Sequence, residues 1–213
     1  MYVLKTDCVL SRFFSVIQEA CLSKKETILK AAARLFSEKG FKYTSMAELS
    51  RIAGAAEGTI FYHFKNKEDL FLSILERIRE TVSTEINIHF SGNRYSTGME
   101  MMDGAVSFYL GLPGKMEDWF FVLHRHYTYD LAAVNSVCKE HVDAIFNCFL
   151  DLFENAIIKG QKDGSIADLP ARKTACIIFA AADGLIRFNN YNLYNTNLLY
   201  KELIESCRRM LKK

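Results

Sequence analysis

The sequence predicts an all-α protein of about nine helices, on three observations. Half of its 213 residues are hydrophobic, Pro113 and Pro170 are its only prolines, and apolar residues recur at helical spacing between recognisable caps. Such a composition buries a substantial core and argues against global disorder. The length suits one small module followed by one larger one.

The first helix starts at Ser23, where Ser23-Lys24-Lys25-Glu26 forms a capping box. Ile28, Leu29, Ala32, Leu35 and Phe36 then make one apolar stripe, and Gly40 stands where a left-handed cap ends the helix. A second box, Ser45-Met46-Ala47-Glu48, opens a two-turn helix that points Met46, Leu49 and Ile52 inward and stops at Gly54. Another short helix runs from about Ala56 to Phe64. Asn66, with Asp69 three residues later, caps a long helix bearing Leu70, Phe71, Ile74, Leu75, Ile78 and Val82. Two short helices joined by a glycine-bearing turn and braced by a preceding helix constitute a helix-turn-helix.

Beyond residue 90 the chain reads as a loop through Ser91-Gly92-Asn93 to Gly98. Helices follow around 98–111 and 116–132, separated by a turn at Leu112-Pro113-Gly114. A longer helix spans about 135–160 with Val142, Ile145, Phe146, Phe149, Leu152, Phe153 and Ile157 inside. Asp168-Leu169-Pro170 opens the next helix, which continues to about Tyr191, and a final one covers about 197–212. Its closing Arg208, Arg209, Lys212 and Lys213 suit the negative end of a helix dipole.

Charge is unevenly spread. Residues 24–67 carry nine Lys/Arg against four Asp/Glu, whereas the residues after them carry sixteen against nineteen. Positive charge gathered on a short segment suits a phosphate-binding surface, because each neutralised phosphate releases condensed counterions. The expected organisation is an extension of unknown role at 1–22, a helix-turn-helix DNA-binding domain at 23–67, and a helical ligand-binding and dimerisation domain at 68–213.

The run from Thr44 to Leu70, including Ala47-Glu48-Leu49-Ser50-Arg51-Ile52-Ala53-Gly54 and Gly58-Thr59-Ile60-Phe61-Tyr62-His63-Phe64-Lys65-Asn66-Lys67, resembles the DNA-binding signature of the TetR/AcrR repressor family. Together with Ala31 to Gly40, it extends over about 45 residues. The C-terminal two-thirds is similar only in layout, with Gly160-Gln161-Lys162-Asp163-Gly164 and Asp183-Gly184 echoing the entry into that family's dimerisation helices. Two positions depart from the pattern: Ala55-Ala56 replaces a Val-Ser pair, removing a hydroxyl cap that contributes about 1 kcal/mol, and Phe61 stands where tyrosine is commonest.

The resemblance implies that Glu57, Gly58, Thr59, Tyr62 and His63 enter a major groove, while Ser45, Tyr62, His63 and Lys67 hold phosphate. Phe61 belongs to the same surface and, like Phe64, is partly structural. Gly58 allows close backbone approach, Thr59 offers a methyl to thymine, and Glu57 accepts from a cytosine amino group or complements the helix dipole. Taken singly, Tyr62 and His63 are ordinary half-exposed side chains and Lys67 a solvated charge; the motif turns them into candidate contacts.

One short helix contacts only a few base pairs, so a homodimer on a palindromic operator is expected. Ala175, Ile178, Phe179, Ala182, Leu185 and Ile186 are the candidate partner surface, with Ala180, Ala181 and Gly184 keeping the helix slim. The competing reading places the same residues against their own core. Phe108, Tyr109, Trp119, Phe120, His124 and Tyr127 are candidates for a small-molecule pocket; core packing accounts for each of them individually.

The leading functional reading is a homodimeric repressor released from DNA by a small apolar or aromatic effector. A DNA-binding protein of architectural type without a ligand is the alternative, and an enzyme using the helical-domain pocket is the remote one. G-x-S-x-G, P-loop, G-x-G-x-x-G and H-E-x-x-H patterns are missing, so no enzyme and no cofactor is expected. His124 and His126 point to different sides of a helix, and Cys8, Cys21, Cys138, Cys148, Cys176 and Cys207 lack C-x-x-C spacing, so no metal is expected either. Asp7 and Arg12 interrupt the apolar N-terminal run, and no apolar stretch is long enough to span a bilayer, which favours a cytoplasmic location without membrane association.

Overall fold

The computed structural model describes residues 24–92, 95–196 and 198–212. The extension with Cys8 and Cys21, the Ser23 cap, Asn93 and Lys213 lie outside the described residues. Ten α-helices and no strand occur among the described residues. They are α1 over 24–39, α2 Met46–Ala53, α3 Glu57–His63, α4 Lys67–Gly92, α5 Gly98–Lys115, α6 Glu117–His124, α7 His126–Val134, α8 Ser136–Asp163, α9 Ala171–Asn190 and α10 Leu199–Leu211. The chain forms two compact units, the first ending at Ile74 and the second beginning at Leu75, so the division falls inside α4.

In the first unit the expected stripe of α1 is the core: Ile28, Leu29, Ala32, Leu35 and Phe36 are buried with Leu49, Ile60, Phe64, Leu70, Phe71 and Ile74. Each of the leucine, isoleucine and phenylalanine side chains among them contributes about 1.5–3 kcal/mol by leaving water. Phe36, Phe41 and Phe71 meet at centroid separations of 5.3, 5.9 and 5.6 Å. The inward face of α2 differs from expectation. Leu49 and Ala53 are buried and Met46 is half-buried, but Ile52 is 39% exposed, because Leu49 and Ala53, four residues apart, set the inner stripe.

The turns also depart in detail from simple capping boxes. Ser45 Oγ accepts from Glu48 N–H at 3.1 Å, yet the Glu48 carboxylate pairs with Lys39 instead of reaching back. Asn66 Oδ1 accepts from Asp69 N–H at 2.8 Å, while Asp69 accepts from Lys65 N–H at 2.9 Å, one residue before the cap. Gly54 sits in the left-handed region at φ 58°, and the Ser50 hydroxyl donates to the Ala55 carbonyl at 2.6 Å, clamping the α2–α3 turn.

In the second unit the 28-residue α8 is central, burying Val142, Ile145, Phe149, Leu152, Phe153, Ala156 and Ile157. Thr97 caps α5, with Glu100 N–H donating to Thr97 Oγ1 at 3.1 Å and Ser96 N–H to the Glu100 carboxylate at 2.8 Å. The α5 backbone lies hard against α8: a Cβ on Gly98 would come within 2.0 Å of Gly160 N.

Three helix boundaries differ from the sequence reading. The α5 helix continues through Pro113, giving up one backbone donor, and Met116 N–H closes it on the Leu112 carbonyl at 2.9 Å. The helix expected at 116–132 breaks at Arg125 because the Thr128 hydroxyl takes the Val122 carbonyl at 2.6 Å, an acceptor that a continuous helix needs. Asp168 does not cap α9; Pro170 occupies that position, and Gln161 Nε2 ties the preceding segment by donating to the Leu169 carbonyl at 2.7 Å.

Candidate functional site

In the first unit, α3 is held from one side only. Ile60 is fully buried and Phe64 is 2% exposed, so the opposite face presents Glu57, Gly58, Phe61 and Tyr62 to solvent, with Thr59 and His63 half-buried at its margins. Tyr62 is 79% exposed and its ring lies 5.1 Å from that of His63. Ala56 begins the helix without a side-chain cap, as the Ala55-Ala56 departure implied. A Cβ on Gly58 would meet nothing within 4 Å, so nothing in the described fold requires glycine there.

Ser45 is exposed at the start of α2; its oxygen caps the helix by accepting, and its hydroxyl hydrogen is the group available to an outside acceptor. Lys67 differs from the expected open phosphate contact. Its Nζ donates to the carbonyls of Phe41 at 2.8 Å and Thr44 at 2.9 Å and lies 4.4 Å from the centre of the Phe41 ring, so two of its three hydrogens are committed. Partial burial pushes its pKa down. Lys67 therefore anchors the α1–α2 loop.

That loop carries two residues the sequence reading passed over, Lys42 and Tyr43, both exposed, the latter at 75%. Arg51 and Lys65 are exposed as well. Their only sequence signal is membership of the basic segment. By contrast, Arg34 pairs with Glu38 at 2.8 Å and Lys39 with Glu48, so these two cations are offset by neighbouring carboxylates.

The second unit separates the pocket candidates. Phe108 lines a cavity between α4 and α5, whereas Tyr109, Phe120 and His124 are buried in a polar cluster around Asp183; Trp119 and Tyr127 are half-buried and line neither. Asp183 Oδ1 accepts from Tyr109 OH at 2.6 Å and lies 2.7 Å from His124 Nε2, and Oδ2 accepts from Arg187 Nε at 2.7 Å. Arg187 also donates to the Tyr129 hydroxyl and sits 5.0 Å from that ring. Burial pushes the Asp183 pKa up, but the hydrogen bond and charge of His124, with the bonds from Tyr109 and Arg187, outweigh it and hold the carboxyl well below its usual range. Burial, then the charge of Asp183, pushes the Tyr109 phenol well above 10.0.

The dimer candidates are likewise redirected. Ala175, Ile178, Ala182 and Ile186 are buried within their own chain, and Leu185 is half-buried. Phe179 joins an internal ring cluster, 5.3 Å from Tyr109 and 5.5 Å from Phe146. The side of α9 that faces outward carries Ile177 at 56% exposure, Ala180, Ala181 and Phe188 at 47%. Helical periodicity gave the spacing of the apolar residues correctly but not which of two apolar faces meets the core.

No group of metal-ligating side chains occurs among the described residues, and none of their helices is long and apolar enough to cross a membrane. Residues 28–74 match the family described as bacterial regulatory proteins, tetR family. The chain is 27% identical over 182 residues to the HTH-type transcriptional regulator TtgR of Pseudomonas putida, covering 80% of this chain and 81% of the relative. It is 26% identical over 170 residues to the HTH-type transcriptional regulator AcrR of Shigella flexneri, covering 76% of each. In fold it is similar to the transcriptional regulator FadR of Bacillus subtilis, solved in complex with stearoyl-CoA, with a TM-score of 0.68 at 22% identity over 85% of this chain and 96% of that one.

Proposed function

We propose, from the premise that this chain belongs to the TetR family of transcriptional regulators, that it is a homodimeric repressor released from a palindromic operator by a small apolar or aromatic effector. The observation that carries the DNA half of this reading is the outward face of α3. Glu57, Gly58, Phe61 and Tyr62 stand exposed over a buried Ile60 and Phe64, and the same unit exposes Lys42, Arg51 and Lys65. A helix so placed offers its N-terminal residues to base edges while the flanking cations and the Ser45 hydroxyl meet phosphate. Glu57, Gly58 and Thr59 are assigned to the groove, and Tyr62 and His63 to its edge.

Two such helices must be spaced by about 34–36 Å to read successive turns of one DNA face. The outward side of α9 supplies the partner surface in this reading: Ile177 and Phe188 give apolar area, and Ala180 and Ala181 allow close approach. Replacing Ile177 with Asp is expected to yield monomers in sedimentation and to abolish tight operator binding.

The helical unit holds the effector. A regulator of similar fold takes a ligand, as FadR does with stearoyl-CoA, which favours this over an architectural role. The effector acts by binding the released conformation more tightly than the DNA-bound one, since equal affinity for both shifts nothing. A salt-titrated mobility-shift experiment on the DNA flanking the gene tests the reading. Binding to a palindrome whose affinity falls steeply with salt is expected; binding to no palindrome there contradicts it.

A further inference from the structure

The cavity between α4 and α5 has an unusual origin. Its volume is about 270 Å³, and it is walled by the His89 and Phe108 rings, 4.9 Å apart, and by Leu112, with Gly104 and Gly111 along α5. The two glycines behave differently. A Cβ on Gly104 would collide with the Tyr95 hydroxyl at 2.6 Å, so that glycine is explained by packing inside the chain. A Cβ on Gly111 would meet nothing within 4 Å. Gly111 is exposed at the mouth of the cavity, and its bare backbone leaves the space beside it open.

The electrostatics of the cavity are one-sided. Lys115 stands at one end, its side chain 64% exposed and its Nζ 3.4 Å from Glu85, a long and solvent-screened pairing that leaves ammonium hydrogens to spare for a second carboxylate. The walls are otherwise the two rings, aliphatic carbon and glycine backbone, together with the exposed Ser107. From this geometry we infer that the α4–α5 cavity binds a small apolar monocarboxylate, its hydrocarbon body against Phe108, His89 and Leu112 and its carboxylate on Lys115. This rests on the reading of the chain as an effector-controlled regulator and names the chemical class of that effector. A volume just below the common range of about 300–1,000 Å³ restricts it to a small molecule. Through His89 the ligand touches α4, the helix whose first turns belong to the DNA-binding unit.

Thermal unfolding of the full chain with octanoate and benzoate, beside 1-octanol and benzamide as uncharged counterparts, tests the assignment. At least one acid should raise Tm in a dose-dependent way and do so more than its uncharged counterpart. The two acids distinguish a chain-shaped from a ring-shaped body. Gly111→Phe, which fills the open space, should abolish the response, and Lys115→Gln, at an exposed side chain that leaves the fold intact, should weaken the acid about fivefold and leave the uncharged compound unchanged. No rise in Tm with either acid, or a full response in Gly111→Phe, overturns the proposal. An acid that stabilises the wild type through Gly111 and Lys115 but leaves operator affinity unchanged upholds the site and overturns the effector role.

Discussion

The ring of His124 and the carboxylate of Asp183 are joined by a 2.7 Å contact from Nε2 to Oδ1, while Nδ1 of the same ring lies 2.8 Å from the Phe120 carbonyl. Both partners are oxygens, so the ring bridges the α6 backbone and the α9 carboxylate through its two nitrogens. With Arg187 on Oδ2, one carboxylate meets an imidazole and a guanidinium in a site where the His124 side chain is 1% exposed and that of Asp183 is 11% exposed. The cluster ties α5, α6 and α9 together. Tyr191 extends it by donating from its hydroxyl to the His124 carbonyl at 2.8 Å.

Removing the carboxylate leaves the Arg187 guanidinium without its counter-charge and the Tyr109 hydroxyl without its acceptor. Asp183→Ala is therefore expected to lose about 3–5 kcal/mol in denaturant unfolding. A loss below 1 kcal/mol would show that solvent enters the cluster.

The same cluster sets two pH dependences. The Asp183 carboxyl is lower in the folded chain than its usual 3.8, so it adds stability above that pH and gives it up as pH falls below it. The Tyr109 phenol is raised, so its contribution holds below 10.0 and is lost as pH rises beyond. Urea midpoints measured across pH should fall at both ends, and Tyr109→Phe should flatten the alkaline limb and, by removing one of the bonds that hold the Asp183 carboxyl down, soften the acid limb as well.

Gly98 tests the packing of α5 on α8. Its N–H donates to Asp163 Oδ2 at 2.7 Å, and the methyl of Gly98→Ala would lie 2.0 Å from a backbone nitrogen that has no rotamer with which to yield. A loss of about 3 kcal/mol is expected, near the upper end for overpacking. Gly58→Ala, with open space around its Cβ, should lose nothing.

How much of this was legible in the sequence depended on how local each signal was. The stripe from Ile28 to Phe36, the Gly54 turn and the Asn66 cap are written within a few residues of one another, and the structure keeps all three. The Asp183 cluster was not legible, because its members sit 74 and 59 residues apart and meet only when three helices pack. Ala175, Ile178 and Ala182 failed as surface residues for a related reason: α9 has apolar side chains on both faces, and periodicity alone does not say which one is covered. Lys67 was assigned by motif, whereas its partners are carbonyls in a loop more than twenty residues earlier.

Lys67 separates anchoring from phosphate contact. Lys67→Met should lower stability by about 1–2 kcal/mol through the two carbonyls it releases, with little change in the salt slope of DNA binding. A slope reduced by about one with stability intact would make it a phosphate ligand instead.

The most direct test of the account is the affinity of Gly58→Leu for the operator, measured by fluorescence anisotropy alongside its thermal stability. In the proposed reading the exposed face of α3 meets DNA, so a side chain at a position the fold leaves open should keep Tm at or above that of the parent and reduce affinity more than about tenfold, the 1.4 kcal/mol scale of one good contact. Unchanged affinity with a folded protein would contradict it and move the DNA-reading surface away from α3.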